Sequence, residues 1–376
     1  MVGHLRLSLA VIPAFARVDW RGECGVLFFM NSQDPSKPDA LDRHSRRSWI
    51  QGTGSAAILS AVPIANASER SKKEGKPVRA GFSQDENRIR LYSPVVGSPV
   101  KLVFVADTHL SRDDARGEVY REFSKRMAGG YHRTKHFRTG GETDPETCFV
   151  ETLGAATKEN ADAVVLAGDI FSFPSEAAVE WVMTRLGEAG LPWVYTAGNH
   201  DWHYEGMEGS SADLRTTWIK QRLLPLYEGR DAMKSVFAIS GLKVLVIDNS
   251  TYEISPEQLE FFRSEAASGE PMVLCVHIPL YAQGRSPGFG CGHPGWGAAV
   301  DKNHLIERRP IWPERHSAVT MDFHREVFAS SNLLGVFAGH THQASVDVIN
   351  GVPQVVSGAN ATGAHLIVEV LPTTAA

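Results

Sequence analysis

Polar side chains of a few types recur in this sequence directly after short apolar runs. Five runs typical of buried strands each lead into such side chains, which are Asp107 with His109, Asp169, Asn199, His277, and His340 with His342. Carboxylate, amide and imidazole groups are ligands for divalent first-row metals, and no thiolate is among them. If one carboxylate bridges, these side chains suffice for two ions about 3.5–4 Å apart. The pattern therefore predicts a two-metal site.

The spacing inside these motifs has a physical reason as well. Asp-x-His at 107–109 and His-x-His at 340–342 place two donors at positions i and i+2, which point the same way in an extended segment. Gly168, Gly198 and Gly339 each precede a candidate ligand. We expect these glycines to let the backbone turn tightly and approach the metals without a Cβ clash.

Each candidate alone has an ordinary structural explanation. Asp107 and Asp169 could be helix caps, and Asn199 could be a turn residue. His277 could be a core histidine whose hydrogen bonds are satisfied. The same donor types at five strand ends favour ligands, since α/β sheets place their sites at the carboxyl ends of strands. Asp201, close to these residues, is expected to support its loop.

In this order, the five motifs resemble the signature of the calcineurin-like metallophosphoesterase family, over residues 107–342. The resemblance implies an α/β fold, a four-layer αββα sandwich of two mixed β-sheets flanked by helices, with two divalent ions of Mn, Fe or Zn. It assigns one ion to Asp107, His109, Asp169 and His342. It assigns the other ion, with Asp169 as the bridge, to Asp169, Asn199, His277 and His340.

The resemblance also implies a reaction, the hydrolysis of a phosphate monoester or diester. Two ions lower the pKa of a bridging water, and the resulting hydroxide attacks the phosphorus. The ions also clamp the phosphate oxygens and offset the charge that develops. The catalytic residues are then Asp169, which bridges, and His200, which faces the leaving group in the family. His200 would protonate the departing alkoxide or stabilise charge on the phosphoryl group.

One position narrows the branch of the family. The protein serine/threonine phosphatases carry an aspartate three residues after the bridging aspartate. The purple acid phosphatases carry a metal-binding tyrosine there, with Asp-x-Asp in the first motif. This chain has Ser172 and His109 at those positions, so it is more similar to the bacterial phosphodiesterase and nucleotidase-like branches. The sequence leaves open which residue orients His200.

Contacts to the substrate are less defined. Asn199 is one candidate, and His293 or Trp296, in the glycine-rich loop 288–297, could touch a phosphate or a base. A surface loop without a ligand role is an equal alternative for these loop residues. The insertion at 131–138 is basic and aromatic, and a solvated face is favoured there over a phosphate site.

Composition limits the class of partner. The chain has 376 residues, a net charge of −5 and a pI near 6.3, so it lacks the overall basic character typical of nucleic-acid-binding proteins. The sequence contains no uninterrupted run of about 18 apolar residues, so an integral membrane span is not expected. We expect a small phosphate ester as partner, and the oligomeric state stays open. The rival interpretations are a non-catalytic binding protein of this fold, which should have lost ligands, and a nuclease, which would favour a basic groove.

The N-terminal region predicts export. An arginine pair precedes a small-residue stretch that ends in a small-x-small cleavage pattern at 65–67, and these features, at about 44–67, resemble a twin-arginine signal. The alternative is a chance basic pair, which would leave a cytoplasmic protein. We expect an unfolded leader over 1–75 and a periplasmic or otherwise extracytoplasmic location. Because a signal normally opens a protein, we also expect translation to start at Met30 rather than Met1.

Four cysteines, at positions 24, 148, 275 and 291, form neither a CxxC pair nor a zinc-finger spacing. A disulfide framework is therefore not expected in a chain of this size. In an oxidising compartment Cys148 could pair with Cys291, and the sequence leaves this open.

Apolar and amphipathic patterns predict the elements that position these motifs. The predicted strands are 101–106, 163–167, 193–196, 236–239, 243–248, 272–277, 333–338, 345–349, 354–357 and 364–370. Helix signals include Asp144 before a proline and a capping box at 255–258. The predicted helices are about 145–159, 174–189, 215–224, 256–267 and 319–330. Strand–helix alternation with a strand-rich end predicts one layered catalytic domain over 88–372.

Overall fold

The computed structural model describes residues 78–285 and 312–373. The predicted leader over 1–75, with its export signal, and the glycine-rich loop 288–297 lie outside the described residues. Within the described part, short segments rich in β-branched and aliphatic residues form most of the strands. They are β1 (Gly81–Asp85), β2 (Arg88–Ser93), β3 (Val100–Val105), β4 (Thr134–Lys135), β5 (Glu142–Thr143), β6 (Ala163–Ala167), β7 (Trp193–Thr196), β8 (Lys234–Ile239), β9 (Leu242–Ile247), β10 (Met272–Cys275), β11 (Leu333–Ala338), β12 (Ser345–Ile349), β13 (Val352–Val356) and β14 (Leu366–Pro372).

Helices connect the strands, and capping residues explain where they begin. The described α-helices are α1 (Arg121–Met127), α2 (Pro145–Lys158), α3 (Glu176–Ala189), α4 (Ser211–Trp218), α5 (Leu224–Tyr227), α6 (Pro256–Ala267) and α7 (Ala318–Ala329). Asp144 caps α2 by accepting the Thr147 N–H at 2.9 Å, and a proline takes the first helical position. Ser255 and Gln258 form the capping box that begins α6. Both starts were predicted from the sequence.

The long strands form two six-stranded mixed sheets. The first has the order β1-β2-β14-β3-β6-β7, and the second has the order β12-β13-β11-β10-β9-β8. In the first sheet β3, β6 and β7 run parallel, and in the second β9, β10, β11 and β13 run parallel. The carboxyl ends of these strands therefore meet at one edge of each sheet, where the side chains that follow them are collected.

Hydrophobic clusters define four layers. One cluster contains residues of α2, α3 and the outer face of the first sheet. A second lies between the sheets and includes Phe104 of β3 and Phe337 of β11, whose ring centroids are 6.0 Å apart. A third joins the second sheet to Phe262 of α6 and Phe323 of α7. This helix–sheet–sheet–helix order confirms the predicted αββα sandwich.

Most predicted elements are present, with some differences. Four strands have the predicted bounds, at 163–167, 193–196, 333–338 and 345–349. The helix predicted at 215–224 begins earlier, because Ser210 caps it, and becomes π-helical at Ile219. β1 and β2 were not predicted, and β1 lies before residue 88, where the domain was expected to begin. Among the described helices, none has the length and apolar character needed to cross a membrane.

Candidate metal centre

Main-chain hydrogen bonds hold the candidate ligand loops in register. The N–H groups of Asp107 and His109, after β3, donate to carbonyls of the loop after β6 at 3.0 and 2.9 Å. In the second sheet, the Gly339 N–H donates to the His277 carbonyl at 2.9 Å. Strand pairing therefore continues into the loops, and the ligand positions of neighbouring strands are fixed relative to each other.

One group of donors contains Asp107, His109 and His342, whose candidate ligand atoms all lie within 4.8 Å of one another. The Nε2 atoms of His109 and His342 are 3.0 Å apart, and His342 Nε2 is 3.5 Å from Asp107 Oδ1. The Asp107 carboxylate also accepts the His340 N–H at 2.8 Å, which ties the second sheet to a donor of the first. The His342 side chain is 20% exposed, so this group is open on that side.

A second group contains Asp169, His277 and His340, all of them buried. His277 Nε2 is 3.2 Å from Asp169 Oδ2, and the rings of His277 and His340 are 5.1 Å apart. A third grouping, of His109, Asp169 and His200, overlaps both. Asp169 also accepts the His200 N–H at 2.8 Å. Asp169 thus lies where the two groups meet.

The chemistry of the second group fits a cation. His277 Nδ1 donates to the Ala167 carbonyl at 2.8 Å, which leaves the Nε2 lone pair directed at the Asp169 carboxylate. Within the described residues, this buried Nε2 makes no other hydrogen bond. Two electron-pair donors that face each other in a buried site are stabilised by a positive charge between them. In the first group, the 3.0 Å between Nε2 atoms suits two nitrogens that are each about 2.0–2.1 Å from one ion.

The charges of the site act in opposite directions on two buried histidines. Burial, and then the neighbouring His342 and His200 rings, hold the pKa of His109 well below its ordinary value, so this ring is neutral, which is the metal-binding form. Burial also lowers the pKa of His277, but the Asp169 carboxylate outweighs it and raises the pKa to about 9. A proton on His277, or a metal cation beside it, would each supply the positive charge that the Asp169 carboxylate stabilises.

Five predicted ligands have left-handed backbone conformations, which residues other than glycine rarely adopt. The φ angles are 58° at Asp107, 54° at His109, 51° at Asp169, 69° at His340 and 57° at His342. The sequence predicts that residues i and i+2 point the same way because the segment is extended. These backbone angles show that the segment is not extended, so that explanation is wrong. The chain instead turns sharply after each strand. Such conformations cost about 1–3 kcal/mol each and cluster at functional sites.

Three glycines stand before candidate ligands for the steric reason expected. Gly168 has a φ of 86°, which glycine adopts without strain. A Cβ on Gly198 would overlap Asp169 Oδ1, and a Cβ on Gly339 would lie 2.5 Å from Asp107 Oδ2. The main chain therefore approaches these carboxylates too closely for any side chain, and the expected approach to the metals themselves stays a prediction.

Buried polar side chains around the donors hold the loops in place. Asp201 accepts two main-chain N–H groups, one from the loop after β6 and one from the loop after β7, at 2.8 Å each. It supports its loop, as expected. Ser172 Oγ donates to the His109 carbonyl at 2.9 Å. In the second sheet, the Asn249 amide forms two hydrogen bonds with the main chain of Ile278, at 2.7 and 2.9 Å.

Two tyrosines beside the histidines were missed by sequence reasoning. The Tyr131 ring stacks on His109 with centroids 4.2 Å apart, and its Oη is 3.4 Å from His342 Nδ1. Tyr252 Oη is 3.2 Å from His340 Nε2. Tyr131 belongs to the basic insertion, whose arginines and lysine are exposed as expected. No local signal marks these contacts, since 211 and 88 residues separate the hydrogen-bonded partners.

The structure does not bear on every candidate. His293, Trp296 and Cys291 lie outside the described residues, so the substrate contacts of that loop stay predictions. Asn199 is fully buried on the loop after β7, next to His200. Cys148 is buried in α2, with its sulfur 3.3 Å from the hydroxyl of residue 143.

Two mixed sheets between helices, with clustered carboxylate and imidazole donors at the strand ends, define an α/β protein with a candidate metal-binding site. Residues 100–344 match the family described as calcineurin-like phosphoesterase. The chain belongs to this family.

The curated relatives are distant. The chain is 23% identical, over 218 residues, to a protein named probable cyclic nucleotide phosphodiesterase from Psychrobacter sp. (strain PRwf-1). The matched region covers 55% of this chain and 54% of that protein. The chain is 24% identical, over 206 residues, to a protein of the same description from Psychrobacter arcticus, with 53% of this chain and 63% of that protein matched. The chain therefore spans just over half of one relative and less than two thirds of the other.

Similar solved structures are more distant still. A dimetal phosphatase from Danio rerio is similar with a TM-score of 0.44 and 12% identity, over 70% of this chain and 88% of that one. A purple acid phosphatase from yellow lupin has a TM-score of 0.42 and 12% identity, over 74% of this chain and 48% of that one. Neither is similar enough to carry information about the substrate.

Proposed function

We propose that this chain is an exported, metal-dependent phosphodiesterase that hydrolyses a small organic phosphate diester, with His200 as the proton donor to the leaving group. Family membership supports hydrolysis of a phosphoester bond. The preference for a diester over a monoester is supported by the names of two relatives, both described as probable cyclic nucleotide phosphodiesterases. A cyclic nucleotide is therefore the first substrate class to test.

The observation that carries the proposal is the pair of donor groups that meet at Asp169. When two divalent ions are bound there, they supply Lewis acidity and a water of lowered pKa. The residues assigned to hold them are Asp107, His109 and His342 on one side, His277, His340 and Asn199 on the other, and Asp169 between. A non-catalytic binding protein would have no reason to keep this donor set together with its strained backbone, so the site supports an enzyme.

The exposed side of the cluster supports a binding place for the proposed phosphate ester. His277 and His340 are buried, whereas His342 is 20% exposed and His200 is half-buried. The His200 ring lies 5.0 Å from the ring of His109, so it stands beside the donors and still reaches solvent. An imidazole at that position can protonate a leaving alkoxide. The substrate is therefore expected to enter over His200 and His342.

Export is the part of the proposal that depends on sequence alone. The twin-arginine pattern at about 44–67 supports it. N-terminal sequencing of the mature protein tests it. A start near Ser68 would support cleavage after residue 67, and a start far from Ser68 would contradict it.

A substrate panel tests the assigned chemistry. With Mn²⁺ present, we expect faster turnover of 3′,5′-cyclic and 2′,3′-cyclic nucleotides and of bis-p-nitrophenyl phosphate than of p-nitrophenyl phosphate. The Asp169→Ala variant, which lacks the carboxylate where the donor groups meet, provides the matched control for contaminating phosphatases. Faster turnover of the monoester would overturn the diesterase assignment. No turnover of any substrate by a chain with two bound ions would overturn the enzyme assignment.

A further inference from the structure

Two tyrosines lie behind the two histidines of the His-x-His motif. We propose that Tyr252 and Tyr131 are positioning residues that fix the tautomers of these histidines, so that His340 presents Nδ1 and His342 presents Nε2 to the metals. This inference rests on the proposed two-ion function. Tyr252 would act on the ion held by His340, and Tyr131 would act on the ion held by His342.

The tyrosine hydroxyls contact opposite ring nitrogens. Tyr252 Oη is 3.2 Å from Nε2 of His340, whereas Tyr131 Oη is 3.4 Å from Nδ1 of His342. When one ring nitrogen binds a metal, the other carries the ring proton and donates it to the tyrosine oxygen, so this outer hydrogen bond holds one tautomer. In His342 the remaining nitrogen is Nε2. That atom is the one 3.0 Å from His109 Nε2 and 3.5 Å from Asp107 Oδ1.

The backbone of Tyr252 is itself unusual. Its φ is 66°, in the left-handed region where a bulky side chain is an outlier. The residue is 8% exposed and lies in the turn after β9, where its N–H donates to the Asn249 carbonyl at 2.8 Å. β9 is therefore a sixth strand whose carboxyl end sends a side chain to the site. Strain that persists at such a position is a mark of function.

Tyr131 contacts two histidines of the other donor group. Its ring stacks on His109 at an interplanar angle of 14°, and its hydroxyl reaches His342. Tyr131 itself is half-buried, so it covers one side of this group at the surface. The stacking fixes the plane of one ligand, and the hydroxyl fixes the tautomer of the other.

The arrangement explains how a motif of three residues serves two ions. His340 and His342 share one tight turn, yet each belongs to a different donor group. If each hydroxyl selects one nitrogen, the loss of one hydroxyl should weaken one ion and spare the other. Outer-shell hydrogen bonds to ligating histidines typically change metal affinity by about 10–100-fold.

Metal affinity of the full chain tests this assignment. The variants are Tyr252→Phe and Tyr131→Phe, which keep the rings and remove the hydroxyls. Tyr92→Phe is the matched control, because the Tyr92 hydroxyl is 3.3 Å from Ser83 Oγ on β1, the edge strand of the first sheet. Zn²⁺ is titrated against a competing chelator, and bound zinc is counted per chain. We expect one ion to weaken by about 10–100-fold in each active-site variant and neither ion to weaken in the control.

Several outcomes would overturn the assignment. Unchanged affinity for both ions in both variants would remove the positioning role, and equal weakening of both ions would remove the one-to-one assignment. If a variant does not fold, a histidine-selective ¹⁵N spectrum of the zinc-loaded wild type gives the tautomers directly. The same tautomer at His340 and His342 would contradict the inference. A wild type that binds fewer than two ions would reject the proposed function, whereas two ions with unaffected variants would reject only the role of the tyrosines.

Discussion

The two sheets contribute different chemistry to one site. The first sheet delivers both carboxylates among the assigned ligands, Asp107 and Asp169, together with Asn199 and a single ligand histidine. The second sheet delivers histidines alone. In the proposed two-ion site, the first sheet would neutralise the charge of the cations, whereas the second would supply neutral donors that complete the geometry. Loss of a carboxylate ligand of the first sheet should for this reason reduce metal binding and activity more than loss of a histidine of the second sheet.

The two contributions also depend on each other. The His340 N–H, from the second sheet, donates to the Asp107 carboxylate of the first. His277 faces Asp169 across the same boundary, at 3.2 Å. A substitution on either side can therefore disturb both, and the informative comparison is between paired variants.

The largest difference is expected between Asp169→Ala and His277→Ala. Loss of the carboxylate where both donor groups meet should release both ions and lower kcat/KM by at least about 10³, because ion clamping is worth several kcal/mol. Loss of His277 removes one neutral donor and should release one ion. Elemental analysis and bis-p-nitrophenyl phosphate kinetics measure both effects. If His277→Ala is as damaging as Asp169→Ala, the charge-bearing role of the first sheet is wrong.

The His200→Ala variant separates proton donation from metal binding within the first sheet. As a general acid, His200 should contribute about 10²–10⁴-fold for substrates with poor leaving groups and much less for p-nitrophenolate, with two ions still bound. One ring nitrogen of His200 also lies within 4.8 Å of donor atoms of His109 and Asp169. Loss of one ion from the variant would therefore make His200 a ligand. If His200→Ala and the wild type hydrolyse substrates with poor leaving groups at equal rates, His200 is not the general acid.

A smaller effect is expected from the glycine beside the first-sheet carboxylate. An alanine at Gly198 would meet Asp169, so Gly198→Ala should lower the free energy of unfolding by about 1–3 kcal/mol. Gly154 in α2 has open space around it, and Gly154→Ala should raise the same quantity by about 0.5–1 kcal/mol. Chemical denaturation of both metal-free variants makes the comparison. Equal effects would show that steric closeness at Asp169 is not decisive.

The sequence predicted which side chains cluster better than it predicted their backbone geometry. The motifs follow solid apolar strands such as β6, where all five residues are buried, so local pattern located them. The shared direction of Asp107 and His109 was explained by an extended backbone, but both residues have positive φ. Left-handed turns at non-glycine residues are set by surrounding tertiary contacts, which no local pattern records.

Elements and contacts that depend on distant partners were missed. The polar edge strand β1 has no alternating apolar pattern, so its pairing with β2 could not be predicted from its own residues. β2 is different, because its sequence does alternate and its residues alternate between intermediate and buried. Tyr131 was interpreted as part of a solvated face because its partner His342 is 211 residues away. Tyr252 follows a strand end, but tyrosine is not one of the carboxylate, amide and imidazole types that recur at the other strand ends. The contacts that surround the candidate ligands are therefore the part of the site that only the fold shows.

The central claim is that this chain binds two ions that act together on a phosphodiester. The most direct measurement titrates Mn²⁺ into the metal-free chain while bound metal per chain and bis-p-nitrophenyl phosphate turnover are followed together. We predict saturation at two ions per chain, with turnover rising as the second ion binds. Full turnover at one ion, or two bound ions without turnover, would contradict the account.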